Sequence, residues 1–419
     1  MKVAVIHSDS RGWFPRYYDN LVRALEKRGH EVTLLLPRNR ANKRSMLAHK
    51  QLWGTRINFH LHFLLFKLTG WQDCFSHFST WLLIRRLKRL RPQLVHLHIV
   101  SNYILHLPML LRYLSRSGIA VAWTFHDLRM LTGLCCVEAV DKCKRWHEGC
   151  GHCPYLSDNF HPLADSTHGV WRLRQRALAS ASNLHIIAPS EWMGRMVRLS
   201  ALRKLPLTVI YNGQDLARFA NHGADMREEL GIGAGEVMVL GVASYLTEAK
   251  GLSDFIQMRR MLGNSYRIVL VGEMSKESKG TLPHGIIHLS TVTDDDKLIA
   301  LYQSADVLVN PTYADNFPTT HVEALASGTP VVTYEVGGAA EAIDEHSGVV
   351  VKKGDVQALV MAVREVTSHP DHYSSEACRQ QAELFSLNLF DDYVTLFEKM
   401  AGVQSSSNIS ATSAGELKR

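Results

Sequence analysis

The sequence predicts an α/β protein made of two successive parallel sheets, each doubly wound by helices. Three observations carry that expectation. Short β-branched runs recur along the chain and are apolar on both faces, the pattern of strands covered from both sides. Segments with helical spacing alternate with these runs, as a parallel sheet requires of its crossovers. A chain of 419 residues also exceeds what one typical core organises and suits two domains of roughly 200 residues each.

In the first half the expected strand runs are 2–7, 31–37, 94–99, 120–127, 184–190 and 207–213. In the second half they are 237–243, 267–273, 286–290, 305–311, 329–334 and 348–351. A helix is expected over 17–28, where Tyr18, Leu21, Val22 and Leu25 share a face and Gly29 follows as the C-terminal stop. Segments 298–304 and 322–327 also read as helices, the second stopped by Gly328. The turn signal Tyr211-Asn212-Gly213, followed by a polar stretch, marks the seam. The expected division is a first domain over 1–205 and a linker over 206–236, then a second domain over 237–385. A helix over 386–402 that crosses back follows, and last a polar, disordered tail over 403–419.

With 46% hydrophobic and 21% charged residues, the chain is neither disordered nor fibrous. The first residues, Met1 to Ile6, run as a strand and not as a signal peptide, and no stretch reaches the ~18 apolar residues of a membrane span. The expected location is cytoplasmic, peripheral on the inner face of the cytoplasmic membrane. The net charge of +7 conceals an asymmetry: residues 1–205 carry 31 Lys and Arg against 12 Asp and Glu, whereas the remainder is acidic. A basic half suits anionic lipid headgroups or a phosphate-bearing substrate, and a solvated surface explains much of it equally well. No nucleic-acid-binding motif accompanies the charge, so nucleic acid is not an expected partner. Segment 60–91 mixes aromatics and His and ends in a basic cluster. It reads as an amphipathic helix at a membrane or as a core helix with a charged outer face.

Ligands of doubly wound sheets bind beyond the carboxyl ends of the strands, so the residues after each run are the ones to inspect. After the first run, Gly12 allows close backbone approach to a phosphate or sugar at a helix start. After the fourth lies His126, able to position a hydroxyl or exchange a proton. The richest stretch is 310–332, reading strand, loop, helix, tight turn, strand. Asp315 sits in its loop, and Glu323 in the first turn of the expected helix can accept a ribose diol. The backbone amides of Asn316, Phe317, Pro318, Thr319 and their neighbours suit a diphosphate or sugar, although Pro318 itself has no N–H.

This stretch resembles the signature of the retaining, nucleotide-sugar-dependent glycosyltransferases of family four. In them, two acids separated by seven residues precede a Gly-x-Pro-Val-Val turn and a downstream Gly-Gly-x-x-Glu. Here these are Asp315, Glu323, Gly328, Pro330, Val331, Val332, Gly337, Gly338 and Glu341. Further matches, in family order, are the runs 28–32, 188–190, 211–215 and 249–251. The resemblance implies the GT-B fold, two Rossmann-like domains facing a central cleft, with the donor held by the second domain and the acceptor by the first. It implies that Glu323 holds the donor ribose and that Asp315 contacts the donor sugar. Lys250 would neutralise the leaving diphosphate, and His126 would touch the transferred sugar. No cofactor is required for catalysis on this reading. Two departures stand out: Asp315 replaces the usual Glu, and no Arg precedes Lys250 within 243–249.

Five of seven cysteines fall within nineteen residues, in an insert over 130–156. Cys135, Cys143, Cys150 and Cys153 have the donor types and spacing of a structural zinc site, with free thiols or disulfides as the alternatives. The insert resembles that of a Cys-rich subgroup of bacterial exopolysaccharide and colanic-acid-type family members. The expected activity is transfer of a sugar, with retention, from a UDP- or GDP-sugar to a lipid-linked or polysaccharide acceptor in bacterial surface-polysaccharide biosynthesis. The competing readings are a GT-B nucleotide-sugar epimerase and a catalytically weak sugar-nucleotide-binding assembly subunit.

Overall fold

The computed structural model describes residues 1–101, 103–137, 142–157, 161–220, 225–292 and 294–403; the expected tail beyond 403 lies outside them. The chain divides into two compact units. The first comprises Met1–Pro189, Gly194–Ile210 and the helix Asn388–Ala401; the second comprises Ser190–Met193 and Tyr211–Leu387.

The first unit is built on seven parallel strands: β1 (Lys2–Ile6), β2 (Glu31–Pro37), β3 (Lys50–Trp53), β4 (Leu94–Leu97), β5 (Ala120–Thr124), β6 (Leu184–Ala188) and β7 (Leu207–Val209). Their order is β3-β2-β1-β4-β5-β6-β7, so the winding reverses between β1 and β4. Central strands such as Leu94–Leu97 are buried along their whole length, which is why they read as continuous apolar runs. β3 pairs only with β2 and is half-exposed, so its Lys-Gln-Leu-Trp sequence lacks that signature and escapes a reading based on apolar runs.

The first helix, Phe14–Lys27, begins three residues before the apolar periodicity suggests, because Pro15 starts it without a backbone donor to satisfy. Its buried face (Phe14, Tyr17, Tyr18, Leu21, Leu25) packs against the final helix through Phe390, Tyr393, Val394 and Phe397. Full burial of each such side chain contributes about 1.5–3 kcal/mol. Glu398 fixes that docking by accepting from Arg28 Nη1 at 3.0 Å and pairing with His30 Nε2 at 2.9 Å.

The second unit has six parallel strands: β8 (Val237–Tyr245), β9 (Tyr266–Glu273), β10 (Ile286–Leu289), β11 (Val307–Asn310), β12 (Val331–Tyr334) and β13 (Gly348–Val351). Their order is β10-β9-β8-β11-β12-β13, with the reversal between β8 and β11. Val356, Leu359, Val360 and Val363 of the helix Val356–Ser368 fill the core on one face of this sheet. Two parallel, doubly wound α/β units are what the sequence predicts.

Candidate active site

In the second unit the two chain segments that leave the sheet at its reversal point carry the predicted charges. After β8 the chain passes through a short 3-10 turn, Glu248–Lys250, and Gly251 then opens the helix Leu252–Met261. After β11 it runs through 311–318 into the helix Thr319–Ala326. The two loops are tied by the backbone: Tyr313 N donates to Ala249 O at 2.9 Å. Gly251 is held at φ +77°, and a Cβ there would lie 2.4 Å from Pro311 O, so only glycine permits the approach. The result is that Lys250 Nζ stands 2.7 Å from Asp315 Oδ2, both side chains partly exposed.

A glycine pair supports the loop from below. At Gly337 (φ +55°) a Cβ would sit 1.7 Å from Asp315 O, and at Gly338 one would sit 2.0 Å from Asn316 O. His321 is fully buried and braces the same loop, with Nδ1 on Ala339 O at 3.0 Å and Nε2 on the Asn310 side-chain amide at 2.8 Å. Burial lowers its pKa to about 4, so it is a neutral strut that donates from Nδ1 and accepts at Nε2.

Glu323 is buried, and Tyr302 OH donates to its Oε2 at 2.9 Å. The helix starts at Thr319, with Pro318 as its N-cap, so Glu323 stands in the second turn and not the first. The two threonines gave no apolar signal, which hid the start. Tyr302 fixes the carboxylate orientation.

Two predicted donor-contact residues turn inward. Asn316 Oδ1 accepts from Ser190 Oγ at 2.7 Å, and Phe317 is buried with its ring 5.0 Å from Tyr211 and 5.3 Å from Phe385. Their side chains anchor the loop, whereas Pro318 and Thr319 form the helix entry itself. Glu341 accepts from the N–H groups of Glu191 (2.8 Å) and Trp192 (2.7 Å). Asp254, which the sequence did not single out, lies four residues beyond Lys250. Tyr334 OH donates to it at 3.0 Å, and burial raises its pKa. Tyr302, His321 and Asp254 are buried polar residues of three different helices, and no spacing rule marks them.

The first unit holds the remaining predictions. Gly12 lies after β1 at φ +68° with open space where a Cβ would be. His126 follows β5, its Nε2 2.9 Å from His98 Nδ1 and its ring 4.4 Å from Trp13. Burial pushes His126 and His98 well below 6.5, His7 to about 4 and His96 to about 3, so this is a cluster of neutral imidazoles.

Cys135, Cys143, Cys150 and Cys153 line one small cavity with Trp146 and Thr167. Gly133 N donates to Cys150 Sγ at 3.1 Å. Cys135 donates to Cys153, which holds the proton on Cys135 and favours the Cys153 thiolate. The donor chemistry suits zinc. Among the described residues, however, no three His, Cys, Asp or Glu side chains stand arranged around a common ion position. No helix among them is long and apolar enough to cross a membrane.

Comparison with known proteins bears on the family and the fold. Residues 15–218 match the model described as Glycosyltransferase Family 4, and residues 224–384 match that of Glycosyl transferases group 1. The putative teichuronic acid biosynthesis glycosyltransferase TuaC of Bacillus subtilis is 28% identical over 202 residues, 46% of this chain and 49% of that protein. A glycogen synthase of Mycobacterium tuberculosis is 30% identical over 174 residues, 39% of this chain and 40% of that protein. The matched stretches thus span half or less of these relatives. Among solved structures, a sucrose-phosphate synthase from Thermosynechococcus elongatus superposes with a TM-score of 0.71 at 17% identity, covering 96% of this chain and 99% of that one. Anabaena Alr3699/HepE in complex with UDP gives 0.68 at 15% identity, covering 96% and 100%. The chain belongs to the family-four, group 1 glycosyltransferases and has their GT-B fold.

Proposed function

We propose that the protein is a retaining glycosyltransferase that moves a sugar from a UDP- or GDP-sugar to a lipid-linked or polysaccharide acceptor in surface-polysaccharide biosynthesis. The observation that carries this reading is the Lys250–Asp315 pair at 2.7 Å beside the helix that presents Glu323. A partly exposed ion pair of this kind is worth only about 0–1 kcal/mol, so an arriving diphosphate can take the ammonium from Asp315 at little cost. Asp315 then turns to the hydroxyls of the donor sugar while Glu323, oriented by Tyr302, takes the ribose diol.

In the transfer step the anomeric C–O bond to the diphosphate breaks and a bond from the acceptor oxygen forms on the same face. The acceptor proton passes to the departing phosphate oxygen. Lys250 and the helix-start amides stabilise the charge that builds there. His126 is assigned a contact with the transferred sugar as a neutral hydrogen-bonding group. That UDP lies bound in a structural neighbour supports a nucleotide-sugar donor, and relatives in polysaccharide biosynthesis support the acceptor class.

The test is a thermal-shift screen with UDP, GDP and their common sugars, followed by analysis of the product anomer by NMR. A melting rise with one nucleotide and a product that keeps the donor's anomeric configuration are expected. An isomerised free sugar nucleotide would point instead to an epimerase, and no turnover at all to a binding subunit.

A structural zinc on Cys135, Cys143, Cys150 and Cys153 is proposed separately: its four thiols would turn toward one another on binding the ion. One equivalent of zinc in the purified protein, with a lowered melting temperature after chelation, is the expected result. Zinc-free protein that melts unchanged with chelator removes this assignment.

A further inference from the structure

Behind His126 stands a second imidazole that is too deeply placed to meet a ligand itself. His98, the residue after β4, is 1% exposed, whereas His126 is only half-buried. His98 Nδ1 lies 2.9 Å from His126 Nε2. The backbone fixes the inner residue: His98 N donates to Ile6 O at 3.1 Å, and Trp123 Nε1 donates to His98 O at 2.8 Å. Aromatic rings wall its imidazole, with centres 4.0 Å away for His96, 5.2 Å for Tyr17 and 5.4 Å for Phe14. The ring of Trp13 lies 4.4 Å from that of His126. His126 is thus held between His98 and Trp13, with Nε2 committed to His98.

Burial keeps both imidazoles neutral, so each carries one proton. The hydrogen bond between them allows two arrangements. If His126 donates from Nε2, His98 accepts at Nδ1 and carries its own proton on Nε2. Among the described residues that buried Nε2 has no hydrogen-bond partner, so an N–H would be left unsatisfied in an aromatic pocket. If His98 donates from Nδ1, only a lone pair is left over at the same place. Orphaned buried N–H groups of the backbone are rarer than under-satisfied acceptors, and the same cost of desolvation applies to an imidazole. The second arrangement is therefore favoured. His126 accepts at Nε2 and carries its proton on Nδ1.

We propose that His98 is a positioning residue: it donates to His126 Nε2 and so presents the Nδ1–H of His126 to an oxygen of the transferred sugar. This rests on the sugar contact assigned to His126 above and makes it specific. His126 serves as a donor and not as a base, because its Nδ1 is already protonated and its Nε2 faces the N–H of His98. The sugar must then offer an acceptor at that position, a hydroxyl or a carboxylate. Sugars with hydrogen or an ammonium group there are discriminated against, since each leaves the Nδ1–H unpaired.

The test has a spectroscopic and a kinetic arm, both on the full chain. Long-range proton–nitrogen NMR of histidine-labelled protein reads the tautomer, with the His126 signals identified by their loss in His126→Gln. Nδ1 should show the shift of a protonated nitrogen and Nε2 that of a bare one. In His98→Leu the two shifts should move toward each other, because nothing then fixes the tautomer. His98→Leu should also lower kcat/KM for the nucleotide sugar about three- to tenfold, the worth of one hydrogen bond. His98→Asn, whose side-chain N–H stands in for Nδ1–H, should recover most of that loss. Free UDP or GDP should bind wild type and both variants alike. Within a series of monodeoxy donor sugars, the one lacking the oxygen met by His126 should react equally with wild type and His98→Leu. Circular dichroism confirms that each variant is folded.

A proton on His126 Nε2, an unchanged kcat/KM in His98→Leu, or an asparagine variant no better than the leucine one would overturn the proposal. So would a loss of free-nucleotide affinity as large as the loss in kcat/KM, which marks a general disturbance of the protein. The tautomer is read without turnover, so its failure is distinct from failure of the transferase reading, which falls if the wild type turns over no nucleotide sugar.

Discussion

Lys250 Nζ and Asp315 Oδ2 lie 2.7 Å apart across 65 positions of sequence, joined at the point where the second sheet reverses its winding. Ligands of open α/β sheets bind at such points. The pair's value to stability is small, because both groups are partly exposed; on the proposed function, its value to the release of a diphosphate is large. Lys250→Ala should therefore cost about 10²- to 10³-fold in kcat/KM with a stability change under about 1 kcal/mol. Steady-state kinetics and a melting curve on the same preparation check both halves. A variant that loses activity only by unfolding would remove Lys250 from the reaction.

Gly337 is the tightest point of the support beneath Asp315. Its φ of +55° and the 1.7 Å approach of Asp315 O to a hypothetical Cβ leave no room for a side chain. Gly337→Ala should displace the loop 311–318, with loss of nucleotide binding and a lowered melting temperature. Gly12→Ala, with open space at the same position, should pay only the backbone cost of its φ of +68° and change the melting temperature less. Melting curves of the two variants side by side distinguish a packed glycine from a tolerant one.

Much of the fold is readable in the residues because doubly covered strands are apolar throughout. Val3 to Ile6, Leu94 to Leu97 and Val331 to Tyr334 are all buried. β3 is not readable, since an edge strand is under no such constraint. The loop 311–318 is legible as a candidate site through its acid spacing and through Gly328, Gly337 and Gly338 beyond it, whereas the start of its helix at Thr319 is not. The inward turn of Asn316 and Phe317 is not, because it depends on Ser190, Tyr211 and Phe385, which are remote in sequence. The exposed leucines of the helix Arg56–Thr69 share a composition with a core helix, and only their accessibility separates the two readings.

Acid should destabilise the protein through its buried histidines. Burial lowers His7, His62 and His321 to about 4 and His96 to about 3, against 6.5 when unfolded. The unfolded chain then takes up protons first as pH falls. Their contribution is fully present above about pH 6.5 and is lost toward about pH 4, at up to about 1.4 kcal/mol per pH unit for each group. Melting temperature should be level from neutral pH to about 6.5 and fall steadily below it. A curve that stays level to about pH 4 would mean these imidazoles are protonated in the folded protein.

Tyr302 orients Glu323, and its loss should be felt at the nucleotide. Tyr302→Phe removes one hydrogen bond to a carboxylate and should weaken UDP or GDP binding roughly three- to tenfold, about the value of such a bond. Calorimetric titration measures this directly. Unchanged affinity would show that Glu323 holds its position without the tyrosine.

The most direct measurement is calorimetric titration of UDP and GDP into the wild-type chain and into Glu323→Ala and Lys250→Ala. One of the two nucleotides should bind the wild type, and each substitution should weaken it by about tenfold or more, as expected for losing a charged hydrogen-bonding partner. Wild-type protein that binds neither nucleotide, or variants that bind as the wild type does, would contradict the placement of a nucleotide-sugar donor on these two residues.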